Sequence, residues 1–286
     1  MTSIRLKSPA KINIFLRVLG RRADNYHDIE TLFQAIELYD ELIIRKSKGL
    51  SRLVVKDHPD LENSHNLVFK ALRWLEQECG ERFDVEIELR KRIPVAAGLG
   101  GGSSNAAATL VAIRELFDLK GVSVLDMQRG AALLGADVPF FLVGGTAIGL
   151  GIGEVLKPVK MNLDFRVLLI NPGFSVSTAE IFSAFSKTLT VSKKEATLSG
   201  LFDQGVELSK LLINDLQDIA ESIYPEIKSI RETFVDQGLT QVLMTGSGPT
   251  IFGLGESAKL ESLFNYFSSK YRAIMTSPSA TGILID

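Results

Sequence analysis

Polar and apolar residues alternate with a period of two through Phe83, Val85, Ile87 and Leu89, set against Asp84, Glu86, Glu88 and Arg90, which predicts a strand with one wet face. Shorter apolar and β-branched runs, Ile12 to Val18, Ile29 to Ile36 and Glu41 to Arg45, are broken by turn residues and predict a strand-rich opening. The period changes at Asn66 to Glu78, where Leu67, Ala71, Leu72, Trp74 and Leu75 recur on helical spacing behind Ser64 or Asn66 as a cap. An alanine-rich stretch from Asn105 to Leu116 predicts a second helix. Leu125 to Leu134 predicts a third, with Gly135 placed as its C′ residue. Strands are expected at Thr146 to Leu150 and Phe165 to Ile170. Longer helical patterns then occupy Ser177 to Phe185 and Glu207 to Gln237, before the segment Gln241 to Leu254, a terminal helix and a last strand near Ile283. That change of pattern predicts a domain boundary near residue 160, dividing the chain into 1–160 and 161–286. The Lys-rich stretch Lys187 to Lys194 reads as a solvated loop.

Composition narrows the class. Of 286 residues, 45% are hydrophobic and 23% charged, which fits a globular protein and excludes collagenous, disulfide-scaffold and disordered chains. A net charge of -2 argues against a nucleic-acid partner, because neutralising a phosphate backbone needs a basic excess. The single cysteine, Cys79, rules out an intrachain disulfide and leaves a reducing compartment, the cytoplasm, as the default. Arg5, Lys7, Lys11 and Arg17 interrupt any signal-peptide core at the N-terminus. Ala131 to Gly153 has the length of a membrane span with Asp137 as its only charge, but Pro139 and its many glycines favour buried strand and turn instead, so no membrane partner is expected. No cysteine or acidic spacing around His58 or His65 suggests a transition-metal site.

The informative segment joins the strand ending near Arg90 to the alanine-rich helix. It runs through Gly98, Leu99, Gly100, Gly101, Gly102, Ser103 and Ser104. Backbone N–H groups free of Cβ bulk at a helix N-terminus can converge on an anion, and phosphate is the natural ligand. The bland alternative is a glycine loop that only permits tight packing. A P-loop requires Lys before Ser or Thr after the last glycine, and Gly102 is followed by two serines. A dinucleotide fingerprint fails at Ser103 and at the half-charged strand before the loop. Protein-kinase motifs are absent as well.

The run Pro94-Val95-Ala96-Ala97-Gly98-Leu99-Gly100-Gly101-Gly102-Ser103-Ser104-Asn105 resembles the ATP-binding motif of the GHMP kinases. Ser8-Pro-Ala-Lys-Ile-Asn13 is similar to the first motif of that superfamily, and Thr245-Gly-Ser-Gly-Pro-Thr-Ile-Phe252 to its third. Gly20 to His27 and Leu134 to Phe140 further resemble the branch that phosphorylates a cytidine-diphosphate-linked alcohol. Asn25 stands where glycine is common there, a departure that Asn tolerates because it adopts positive φ.

The resemblance implies an α+β, two-domain GHMP-kinase-like fold with the active site in the interdomain cleft. It implies ATP and Mg²⁺ as cofactors and small-molecule substrates. Asp137 becomes the base that takes the hydroxyl proton, with Lys11 beside it orienting that hydroxyl. Asn66 and Leu67 fall near the adenine and Lys91 close to the nucleotide; within the nucleotide-binding run Pro94 to Asn105, Gly98 to Ser104 wrap the phosphates, with Ser104 a candidate magnesium ligand. Tyr26, His27 and Phe182 fall at the cytosine, and Asn13 and Thr178 near the erythritol and its diphosphate. Bland readings stand beside these: Asp137 as a helix-capping or turn aspartate, Lys11 as a solvated strand lysine, His27 as a polar loop residue. Other readings of the whole chain are a homoserine or mevalonate type of GHMP kinase and a catalytically silent ligand sensor. The Tyr26-His27 pair argues against the first, and the presence of Asp137 and Lys11 against the second.

Overall fold

The structure, a computed structural model, describes residues 1–162, 164–188, 198, 200 and 207–286. Two long antiparallel strands, β1 (Ser3–Arg21) and β2 (His27–Lys46), form the spine. The predicted runs 29–36 and 41–45 are thus one strand. Register shifts at Pro9/Ala10, Asn13/Phe15 and Val18/Gly20 break its pairing, which is why the sequence pattern looked interrupted. At the second shift Ile14 is the extra residue, and Ile14 and Phe15 are both buried although they are neighbours.

The chain continues through β3 (Arg52–Lys56), helix α1 (Leu67–Cys79) and β4 (Val85–Arg90). Asn66 caps α1, its side chain accepting the N–H of Val68 at 3.0 Å. Val85, Ile87 and Leu89 are buried, as the alternation predicts. Helix α2 (Gly101–Leu116) begins four residues before the alanine-rich stretch, so Gly101 to Ser104 are its first turn rather than loop. Helix α3 (Val124–Leu134) starts at a capping box of Ser123 and Asp126. Gly135, after it, has φ 166°, extended rather than left-handed, so the helix ends without the expected C′ geometry. A short helix α4 (Val138–Val143) replaces the buried strand and turn expected here. Pro139 sits in its first turn, where a missing N–H costs nothing.

Strands β5 (Thr146–Leu150) and β6 (Val155–Pro158) extend the first sheet, whose path is β4, β2, β1 with β3 parallel to β4 and β5 on β2. A second, four-stranded antiparallel sheet holds β7 (Arg166–Asn171), with helix α5 (Thr178–Thr188) following it in sequence. The expected long helix 207–237 is broken. Strand β8 (Ile213–Asn214) pairs with β1, then helices α6 (Gln217–Ile223) and α7 (Pro225–Asp236) meet at Pro225. The segment 241–254 is the hairpin of β9 (Val242–Met244) and β10 (Ile251–Gly255). Helix α8 (Ser257–Ser268), β11 (Arg272–Thr276) and β12 (Leu284–Ile285) complete the chain, and β12 returns to β1. Lys187 lies in the last turn of α5; the rest of the expected solvated loop, from residue 189, lies outside the described residues.

Three apolar clusters hold these layers. One packs α1, α2, α3 and α4 on the first sheet, a second packs α7 and α8 on the second sheet, and a third joins the two sheets through Ile12, Phe15, Ile36, Leu169 and Phe252. That joining core fixes β1 against the β9–β10 hairpin, and the site is built on this contact. Among the described residues no helix is long and apolar enough to cross a membrane.

Candidate active site

The two-residue period of β1 turns Lys11 and Asn13 to one face and Ile12 into the joining core. Both polar side chains are buried, and each is tied down. Lys11 Nζ donates to Asn13 Oδ1 at 2.6 Å, and Asn13 Nδ2 donates to Thr31 Oγ1 at 2.8 Å. Asn13 N donates to Thr245 Oγ1 (3.0 Å), whose hydroxyl donates to the Gly98 carbonyl (3.2 Å), while Lys11 N donates to the Leu99 carbonyl (3.0 Å). Three segments remote in sequence, β1, the glycine loop and the turn after β9, are laced at one point.

Gly98 has φ 74°, and a Cβ there would fall on the carbonyl of Thr245, so only glycine lets loop and turn approach this closely. A Cβ on Gly100 (φ 70°) would lie 2.7 Å from the ring of Phe141 and 3.1 Å from Lys11 Cγ. Ala96 also takes a left-handed φ, 51°, a strained conformation for a residue with a Cβ.

Lys11 Nζ lies 3.4 Å from Asp137 Oδ2. Asp137 occupies the N-cap position of α4 but its side chain makes no capping hydrogen bond, which removes the capping reading. The carboxylate is one-third exposed and faces the same cavity as Lys11. Lys11, 4% exposed, is not a solvated strand lysine.

A single cavity of about 1160 Å³ gathers most of the predicted positions. Lys11, Asn13 and Asp137 line it; Asn66, Leu67, Lys91, Pro94 to Gly98, Gly100 to Ser103 and Asn105 also line it. So do Tyr26, His27, Thr178 and Phe182. Two predicted residues do not. Leu99 is a core residue, packed in the cluster that joins the two sheets, and offers its carbonyl to Lys11. Ser104 is buried on the inner side of the first turn of α2, and its hydroxyl has no partner among the described residues. It is therefore poorly placed as a magnesium ligand.

His27, which is buried, packs on Phe182 with ring centroids 5.1 Å apart. Its Nε2 meets Ser186 Oγ at 2.6 Å, and Ser186 Oγ donates to the carbonyl of Phe182 at 2.8 Å. The hydroxyl has one proton, spent on that carbonyl, so Nε2 is the donor and Nδ1 carries the lone pair. Burial, and then the positive charge of Arg21, push the imidazole below its ordinary pKa. Tyr26 is 59% exposed on the cavity rim. Thr178 Oγ1 is 2.8 Å from Ser247 Oγ, joining α5 to the turn after β9.

The sequence reading missed Ser186, Thr31 and Asp40, and it gave Ser247 no role of its own within the third motif. Ser186 follows Thr178 and Phe182 at four-residue steps, a spacing that puts all three on one helical face and could have found it. Asp40 sits in an apolar strand beside Glu41, and nothing in the sequence distinguishes the two.

The glycine-rich start of α2, the Lys11–Asp137 pair and the His27–Phe182 contact thus face one cavity. Models of the GHMP kinases N terminal domain and the GHMP kinases C terminal domain match residues 66–145 and 196–273, and the chain belongs to the GHMP kinases. It is 41% identical over 254 residues to the 4-diphosphocytidyl-2-C-methyl-D-erythritol kinase of Syntrophus aciditrophicus, covering 89% of this chain and 90% of that one. The enzyme of the same name from Pelotomaculum thermopropionicum is 40% identical over 267 residues, 92% of each chain. A crystal structure of 4-(cytidine 5'-diphospho)-2C-methyl-D-erythritol kinase superposes with a TM-score of 0.79 at 32% identity, over 96% of this chain and 99% of that one. Homoserine kinase from Cytophaga hutchinsonii has a TM-score of 0.71 at 20% identity, covering 100% and 98%, and shares the fold.

Proposed function

We propose that this protein is an ATP-dependent kinase that phosphorylates the 2-hydroxyl of 4-diphosphocytidyl-2-C-methyl-D-erythritol, in the non-mevalonate route to isoprenoid precursors. The observation that carries the reading is the position of the Lys11–Asp137 pair, in one cavity with the glycine turn and with the His27–Phe182 clamp. The first takes the donor and the second the acceptor's cytosine.

In this reading ATP lies along Pro94 to Ser103 with its phosphates at the N-terminus of α2, where N–H groups and the helix dipole favour negative charge. Asn66 and Leu67 flank its base, and Asn66 does so while its side chain caps α1. The acceptor places cytosine among Tyr26, His27 and Phe182, with Asn13 and Thr178 along the erythritol diphosphate. Asp137 takes the proton of the 2-hydroxyl as its oxygen bonds to the γ-phosphorus. The bond from that phosphorus to the β-phosphate oxygen breaks and ADP leaves. Lys11, held by Asn13, aims the carboxylate and faces the phosphoryl oxygens with its positive charge.

Among the described residues no three His, Cys, Asp or Glu side chains cluster as a metal cage. Mg²⁺ arrives with nucleotide phosphates, keeps several waters and takes few ligands from the protein. Ser103, on the cavity wall, is the residue we place nearest to it, where the ion would supply positive charge against the phosphates. We place the nucleotide-binding domain at 1–160 and the second domain at 161–286, in a cytoplasmic protein. The test is ADP release, measured by a coupled assay, with a panel of alcohols with and without cytidine. Turnover that requires the cytidylated alcohol is expected, and turnover with homoserine or mevalonate instead would overturn the assignment.

A further inference from the structure

The carboxylate of Asp40, a fully buried residue of β2, accepts four hydrogen bonds. Its Oδ1 takes the backbone N–H groups of Arg92 (2.7 Å) and Ile93 (2.9 Å), and its Oδ2 takes Lys91 Nζ and Asn105 Nδ2, the latter at 3.0 Å. Those four fill the acceptor sites of a carboxylate. Asn105 is committed in turn. Its other amide proton goes to Ser8 Oγ (2.8 Å), opposite Asp40 across the strand pair, and its carbonyl accepts from Lys91 Nζ (3.1 Å). Asn105 thus reaches the cavity wall with both its donors spent.

Lys91 is different. An ammonium has three N–H groups, and Asp40 and Asn105 take two. The side chain is 4% exposed and ends beside Gly101, where a Cβ would lie 3.1 Å from Nζ. One N–H is left for the cavity. A bare cation here would also stand at the positive end of α2, which is unfavourable unless a carboxylate cancels it.

We propose that Asp40 is the positioning residue of the nucleotide site. It neutralises Lys91 and leaves it a single N–H, so that Lys91 bonds an uncharged acceptor on the base or ribose of ATP and not a phosphate. The inference rests on the kinase reading for the identity of the nucleotide.

The test is steady-state kinetics of the full chain as wild type, Asp40→Asn, Lys91→Met and the double variant, with inorganic tripolyphosphate as competitor of ATP. Each single variant is expected to raise KM for ATP about tenfold, the scale of one lost charge-assisted hydrogen bond, and to leave KM for the alcohol unchanged. The double variant is expected to be no worse than Lys91→Met, because Asp40 acts through Lys91. Inhibition by tripolyphosphate is expected to be unchanged by Lys91→Met. A single variant can fail to fold around one orphaned charge, so binding of ATP and of tripolyphosphate is also measured on the double variant, which removes both charges. Weakened ATP with intact tripolyphosphate supports the proposal. Additive effects on KM, an equal rise in KM for the alcohol, or tripolyphosphate weakened in step with ATP overturns it. A wild-type protein that never turns over ATP overturns the kinase reading instead.

Discussion

His27 Nε2 and Ser186 Oγ stand 2.6 Å apart, and this hydrogen bond between β2 and α5 sets the tautomer of the imidazole. With the proton on Nε2, Nδ1 offers a lone pair, which suits the exocyclic amine of cytosine. The folded state keeps the ring unprotonated to a lower pH than the ordinary 6.5. Below that value the unfolded chain binds more protons than the folded one, so this contribution to stability is complete above 6.5 and is lost as the pH falls. KM for the cytidylated alcohol is expected to be flat from about pH 8 down to the ordinary histidine range and to rise below it, with KM for ATP unaffected. A KM for the alcohol that stays constant while the His27 imidazole, followed by NMR, takes up its proton would remove the lone-pair role.

Asp137→Asn is expected to lower kcat by about two to four orders of magnitude, the range for a lost general base, while ATP affinity measured by calorimetry stays close to wild type. Unchanged turnover would take the base assignment away from Asp137. Its side chain makes no capping hydrogen bond, so loss of the helix cap does not complicate the comparison.

Tyr26→Ala is expected to raise KM for the cytidylated alcohol about tenfold with little change in kcat, because stacking on a base is shared by ground and transition states. Tyr26 is exposed, so its removal leaves the melting temperature unchanged. A pure kcat defect contradicts the recognition role.

Gly98→Ala places a Cβ on the Thr245 carbonyl and a side chain at positive φ. Destabilisation of about 1–3 kcal/mol is expected by urea unfolding, together with a raised KM for ATP, since loop and turn must separate. A variant of wild-type stability and KM means that the loop is not held against that turn.

Gly130→Ala probes packing away from the site. A Cβ at this position of α3 would fall onto the ring of Trp74 in α1, the only tryptophan of the chain. Overpacking of this kind costs about 1–3 kcal/mol. The fluorescence of Trp74 reports both the local change and the unfolding midpoint, and identical unfolding curves would show that α1 and α3 do not pack as described.

Local features were legible from the sequence wherever one short segment carries the whole signal. The alternation of β4, the helical spacing and Asn66 cap of α1, and the glycine-rich entry to α2 are of this kind. Each depends only on backbone conformation and on which side chains share a face. Patterns broken by bulges or prolines read less well: β2 appeared as two strands, α4 as strand and turn, and 207–237 as one helix.

The site itself depended on contacts between segments far apart in the chain. Sequence motifs named Lys11, Gly98 and Asp137 separately, but the joining core of Phe15, Ile36, Leu169 and Phe252 brings β1 to the hairpin where Thr245 laces them. The two serines of the glycine run are neighbours in sequence, yet helical geometry sends Ser103 to the cavity and Ser104 inward. Asp40 and Glu41 are indistinguishable as adjacent acids, yet the pleat of β2 buries Asp40 against Lys91 and leaves Glu41 to an exposed arginine, Arg92. Periodicity and backbone chemistry therefore determined the elements, and long-range packing, which no short window of sequence encodes, decided which of their polar groups meet.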